Sequence, residues 1–80
     1  MVRQYGTPQH EELRRLLIGE RERAGLTQME LSRRLRWSRQ TISKIETGEK
    51  RVTVVELLEL AEAIGFDPMA ALRRVGKAKG

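Results

Sequence analysis

The stretch Thr27-Gln28-Met29-Glu30-Leu31-Ser32-Arg33-Arg34-Leu35-Arg36-Trp37-Ser38-Arg39-Gln40-Thr41-Ile42-Ser43-Lys44-Ile45-Glu46-Thr47-Gly48 contains two helix starts close together. Thr27 with Glu30 three residues on is a capping box, in which hydroxyl and carboxylate each satisfy an orphan amide of the first turn. Leu31 and Leu35 then share one helical face. Arg36-Trp37 interrupts, and Ser38 is a fresh N-cap. From Ser38 to Thr47 a further helix places Ile42 and Ile45 inward, and Gly48 stops it. Two short helices joined by a tight turn form a helix-turn-helix when a longer apolar helix packs behind them.

The flanking sequence supplies the rest of the bundle. Thr7-Pro8 with Glu11 and Glu12 reads as cap, first-turn proline and dipole-favoured acids. Leu13, Leu16, Leu17 and Ala24 follow at helical spacing before Gly25. Thr53-Val54-Val55-Glu56 is a second capping box. It opens a fourth helix in which Val54, Leu57, Leu58, Ala61 and Ile64 make a wide apolar stripe, ended by Gly65. Asp67-Pro68 starts a final short helix with Met69, Leu72 and Val75. Nothing alternates with the period of a strand. The expectation is an all-α, compact five-helix domain over residues 8–75, between an arm at 1–7 and a flexible basic tail at 76–80.

Composition narrows the function. The 80 residues carry no cysteine and one histidine, His10, which excludes disulfides, thiolate metal sites and a histidine-rich cluster. No metal and no cofactor are expected. Without a cysteine nucleophile, a glycine-rich phosphate loop or a histidine beside a nucleophile, neither is catalysis. Residues 1–6 lack the apolar run of a signal peptide and no stretch is long enough to span a membrane, so the expected compartment is the cytoplasm. The net charge of +5 is concentrated. Between Arg33 and Arg51 lie seven basic residues against Glu46 and Glu49, and the other nine basic and nine acidic residues of the chain cancel. A basic window in a neutral remainder is the footprint of a polyanion site, although charge alone does not separate DNA, RNA and an acidic membrane.

Three spaced segments carry a family likeness: Gly25-Leu26-Thr27-Gln28 with Glu30-Leu31, then Ser38 to Gly48, then Leu57-Leu58-Glu59-Leu60-Ala61-Glu62-Ala63-Ile64-Gly65. With matching gaps they resemble the phage-repressor/Cro-like (Xre-type) helix-turn-helix family over roughly Leu13 to Phe66. The resemblance implies a lambda-repressor-like fold with the helix-turn-helix formed by helices 2 and 3. It also implies a transcriptional regulator, expected to be a repressor, that binds double-stranded DNA with helix 3 in the major groove. With Ile42 and Ile45 inward, Arg39, Gln40, Ser43 and Lys44 face outward. Arginine can grip guanine O6 and N7 and glutamine adenine N6 and N7, so these four are the expected base readers, Lys44 being equally suited to a phosphate.

The family uses the residue at Gln28, with nearby backbone amides, to hold a phosphate. Thr27 (cap, phosphate ligand or both), Thr41, Lys50 and Arg51 are further candidates for the DNA backbone. Arg21 and Glu46 match a pair that in the family forms a structural salt bridge. One short helix reads few base pairs, so a homodimer on a pseudo-palindromic operator is expected, with Phe66, Met69, Leu72 and Val75 as its surface. Domains of this family also serve as antitoxins, so a toxin or other protein partner is the alternative, with DNA binding secondary. Two positions depart from the pattern. Arg36 stands where the family commonly has glycine, so either it takes positive φ under strain or the turn differs in shape. Trp37 replaces an aliphatic and either fills the core beneath the turn or stacks on DNA.

Overall fold

The computed structural model describes residues 7–78; residues 1–6 of the expected arm at 1–7 and the last two residues of the tail lie outside the described residues. Five helices follow in order: α1 (Pro8–Arg23), α2 (Gln28–Leu35), α3 (Arg39–Thr47), α4 (Val54–Ile64) and α5 (Pro68–Lys77). Each begins on a side-chain cap. Thr7, Thr27, Ser38 and Thr53 accept from the amide three residues on, and Asp67 from that of Met69. Such caps satisfy amides that the helix itself leaves without partners. The last helix runs through Gly76 and Lys77, past the expected start of the tail.

The core is built from Leu16 and Leu17 of α1, Leu26, Leu31, Ile42 and Ile45, Leu57, Leu60 and Ile64 of α4, and Ala71 of α5. Helix α1 packs against α3 and α5, while α2 packs against α3 and α4. The α2–α3 pair is therefore backed on two sides. Trp37 is half-buried against this core, beneath the turn.

The apolar stripe of α4 is only partly covered. Val54 and Leu58 are 69% and 50% exposed, as is neighbouring Val55 at 66%, and the buried side is Leu57, Leu60, Ala61 and Ile64. Helix α4 packs chiefly on α2 and α5. An apolar stripe broader than those partners cover leaves its outer edge in solvent.

The turn between α2 and α3 rests on Arg36, which has φ 60° and ψ 33° and is the non-glycine residue with positive φ among those described. Trp37 N–H donates back to Ser32 O at 3.0 Å, closing the turn. The chain thus uses a left-handed residue there with a side chain that carries the usual Cβ penalty. Arg36→Gly should relieve strain on the order of 1 kcal/mol, partly offset by the greater freedom of glycine in the unfolded chain. A thermal melt should show a higher Tm; a lower one would mean that the Arg36 side chain stabilises the turn by more than its backbone costs.

Both capping boxes carry a pH dependence. The Thr27 amide and hydroxyl hold the Glu30 carboxyl below its ordinary value of 4.5. For Glu56, burial pushes upward but is outweighed by hydrogen bonds from Thr53 and Lys50, leaving it below 4.5 as well. Lowered carboxyls stabilise the fold fully above the ordinary value, and that contribution is lost as pH falls through the folded value. Melting temperature should therefore fall in acid below about pH 4.5, and Glu56→Gln should make the fall shallower.

Candidate nucleic-acid interface

Helix α3 has two sides with different duties. Ile42 and Ile45 face the core and are almost fully buried. Arg39, Gln40, Ser43 and Lys44 lie opposite and line one open depression together with Glu49. Arg39, Gln40 and Lys44 are exposed, and Ser43 is half-buried. The structure thus gathers all four expected base readers on one surface. It also adds Glu49, to which the sequence reading gave no role.

What holds this surface in place lies behind it. Glu46 projects from α3 into the bundle with its side chain 7% exposed. Its Oε2 accepts from Arg21 Nε at 2.7 Å, and its Oε1 accepts from Arg21 Nη2 at 3.0 Å and Gln28 Nε2 at 2.9 Å. The Arg21 side chain is 13% exposed and also donates to Leu26 O at 2.7 Å. Hydrogen bonding to Glu46 holds the arginine above its ordinary pKa. Arg14 braces the same residue through its main chain, donating to Glu46 O at 2.8 Å. Two arginines of α1 thus fix α3 by a carboxylate and a carbonyl.

Gln28 is drawn into this assembly. Its Nε2 faces Glu46, while its Oε1 accepts from Arg39 Nη1 at 3.3 Å. The glutamine amide therefore links the buried pair to the first residue of the outward face. Thr27 Oγ1 caps α2, and Thr41 Oγ1 lies 2.9 Å from Ser38 Oγ at the start of α3. Lys50 Nζ sits 2.9 Å from both Glu56 oxygens and 3.1 Å from Arg51 O, so much of its charge is met internally. Arg51 is exposed. On α5, Met69 and Leu72 are 57% and 44% exposed, whereas Phe66 and Val75 are half-buried. Among the described residues no three His, Cys, Asp or Glu side chains are placed to hold a metal ion, and no helix is long and apolar enough to cross a membrane.

The sequence reading missed two features. Glu49 follows the helix-ending glycine, so helical period does not predict where it points. The contact from Arg14 to a main-chain carbonyl has no side-chain signature at its far end.

A capped helix, a tight turn and a second helix, buried on one side and polar on the other, define a helix-turn-helix domain. The comparisons agree. A family model described as a helix-turn-helix domain matches residues 11–74. The structure of an XRE-family like protein from Pseudomonas syringae pv. tomato matches with a TM-score of 0.80 and 37% identity, over 85% of this chain and 83% of that one. An uncharacterised HTH-type transcriptional regulator of Sinorhizobium fredii is 44% identical over 45 residues, 56% of this chain and 58% of that relative's length. The chain belongs to the Xre-type helix-turn-helix family.

Removing one member of a buried ion pair strands the other, at a cost of about 3–5 kcal/mol. In a domain of this size each kcal/mol moves Tm by about 4–8 °C. Glu46→Ala should therefore lower Tm by at least about 12 °C in a thermal melt, and a loss of only a few degrees would show that the pair is not the brace of α3.

Proposed function

We propose that this chain is a transcriptional regulator that binds double-stranded DNA in a sequence-specific way and acts as a repressor by occupying its operator. Helix α3 lies in the major groove, and Arg39, Gln40, Ser43 and Lys44 face the base edges. The observation that carries this reading is the single outward surface these four make on a helix anchored from behind. Their donors and acceptors suit the groove code, arginine toward guanine and glutamine toward adenine. Thr27, Thr41 and Arg51 hold the flanking phosphates, joined by Gln28 through the second hydrogen of its amide, with Lys50 sharing its ammonium between phosphate and Glu56. The chain acts in the cytoplasm, without catalysis.

It binds as a homodimer on a pseudo-palindromic site. Half-site centres one turn of DNA apart are separated by about 34–36 Å. The described domain measures 34 × 26 × 21 Å, so two copies on successive major grooves lie within touching distance. Exposed Met69 and Leu72, with Phe66 and Val75 at their edge, supply the contact. Leu72→Glu should convert the dimer to a monomer in analytical ultracentrifugation, and an unchanged dimer would place the interface elsewhere. A second reading, a module for a toxin or other protein partner, is favoured by exposed Val54, Val55 and Leu58, because they make an apolar face on a different helix from the proposed dimer contact.

DNA binding is tested by measuring affinity for a selected operator and its single-base variants at several salt concentrations. About 6–10 phosphate contacts per dimer imply a fall of about 10³–10⁵-fold between 50 and 200 mM salt. Arg39→Ala and Gln40→Ala should each cost about 1–3 kcal/mol on the best site and relax preference at particular base pairs. Arg51→Ala should weaken every sequence alike and reduce the salt slope by about one per subunit. These side chains are exposed and Arg39 gives up only its 3.3 Å hydrogen bond to Gln28, so the variants should keep their folding stability to within about 0.5 kcal/mol. A flat salt response would favour the protein-partner reading. Unchanged base preference in folded Arg39→Ala and Gln40→Ala would overturn the assignment of the reading face.

A further inference from the structure

After α3 the chain turns back on itself. Gly48 takes φ 88°, a conformation that costs glycine little, and Lys50 N–H donates to Lys44 O at 3.1 Å. This closed turn places Glu49 in the wall of the depression formed by Arg39, Gln40, Ser43 and Lys44. Glu49 is exposed, and among the described residues its carboxylate has neither an ion pair nor a hydrogen bond. Glu46, by contrast, is consumed by Arg21 and Gln28. An acid without a partner thus stands on the surface proposed to meet a polyanion.

Resting on the DNA-reading proposal above, we infer that Glu49 is a specificity-determining residue. Its carboxylate accepts a hydrogen bond from an exocyclic amino group in the major groove, cytosine N4 or adenine N6. An ionised carboxylate can only accept. The major-groove edges of cytosine and adenine offer an amino donor, whereas guanine O6 and N7 and thymine O4 are acceptors. Opposite an acceptor the carboxylate is repelled and left desolvated without a partner, which penalises the wrong base as well as favouring the right one. Arg39 and Lys44 on the same surface offset the repulsion between this carboxylate and the DNA as a whole.

The test is selection from a random DNA library with the wild type, Glu49→Ala and Glu49→Gln, each checked by thermal melting. The wild type should enrich a site in which one half-site position is restricted to an amino-bearing base by roughly tenfold, and whether that base is cytosine or adenine identifies the donor. Glu49→Ala should lose that restriction and keep the others. Glu49→Gln, whose amide can also donate, should admit the excluded bases. If Glu49→Ala kept every base preference, or tightened binding to all sequences equally, Glu49 would not read a base. If the wild type enriched no sequence, the DNA-reading proposal itself would fail, and this inference with it.

Discussion

Glu46 is a carboxylate on the inner side of α3 that accepts three hydrogen bonds, two from Arg21 and one from Gln28. Ile42 and Ile45 bury the same side, but apolar contacts are non-directional and tolerate small rotations of a helix about its axis. A guanidinium that meets a carboxylate through two parallel bonds does not. The pair fixes which residues of α3 face outward, and Arg14, holding the carbonyl of the same residue, fixes how far along its axis the helix sits. Burying two charges is costly, so net stability alone is a poor reason for the arrangement. Its physical yield is a defined orientation.

That orientation reaches the surface through one side chain. The amide of Gln28 faces Glu46 with its nitrogen and Arg39 with its oxygen, so a rigid internal pair ends on an exposed arginine. Other cations also make contacts within the molecule. Arg34 donates to Ala63 O at 2.9 Å and Arg23 to Gly65 O at 3.2 Å, meeting carbonyls at the C-terminal end of α4. Lys50 is met by Glu56. Within the basic window, therefore, the Lys50 charge is partly met inside the molecule, while Arg34 stays exposed and keeps its charge.

The helices were legible because their ends are chemical events. Thr7-Pro8, Thr27 with Glu30, Ser38, Thr53 with Glu56, and Asp67-Pro68 each provide the oxygen or the fixed φ that a first turn needs, and all five helices start there. The outward face of α3 was legible too, since two inward isoleucines set the approximate phase of a short helix, which the Arg21–Glu46 pair then fixes. Periodicity was an incomplete guide on α4. It shows that Val54 and Leu58 could share a buried face, but not that the neighbouring helices stop short of them. It also could not show that the Gln28 amide turns inward to Glu46, because that contact joins residues 18 apart across the bundle. Tertiary geometry decides such details, and local pattern carries no record of it.

The phase of α3 has a further consequence for how such a domain can change. A domain of this length is held by a margin of a few kcal/mol, so a residue that both carried the fold and read a ligand could hardly be altered. Here the duties are divided by the 3.6-residue period. Residues 42, 45 and 46 are buried and anchor the helix, while 39, 40 and 44 are exposed. Substitutions at exposed positions usually change stability by less than about 0.5 kcal/mol, whereas truncating a buried isoleucine costs about 2–5 kcal/mol. The outer surface can therefore be rewritten while the inner one stays fixed. Arg39 is the partial exception, tied through Gln28 to the buried pair. It is the one position of the proposed reading face at which a new side chain would also have to suit the brace behind it.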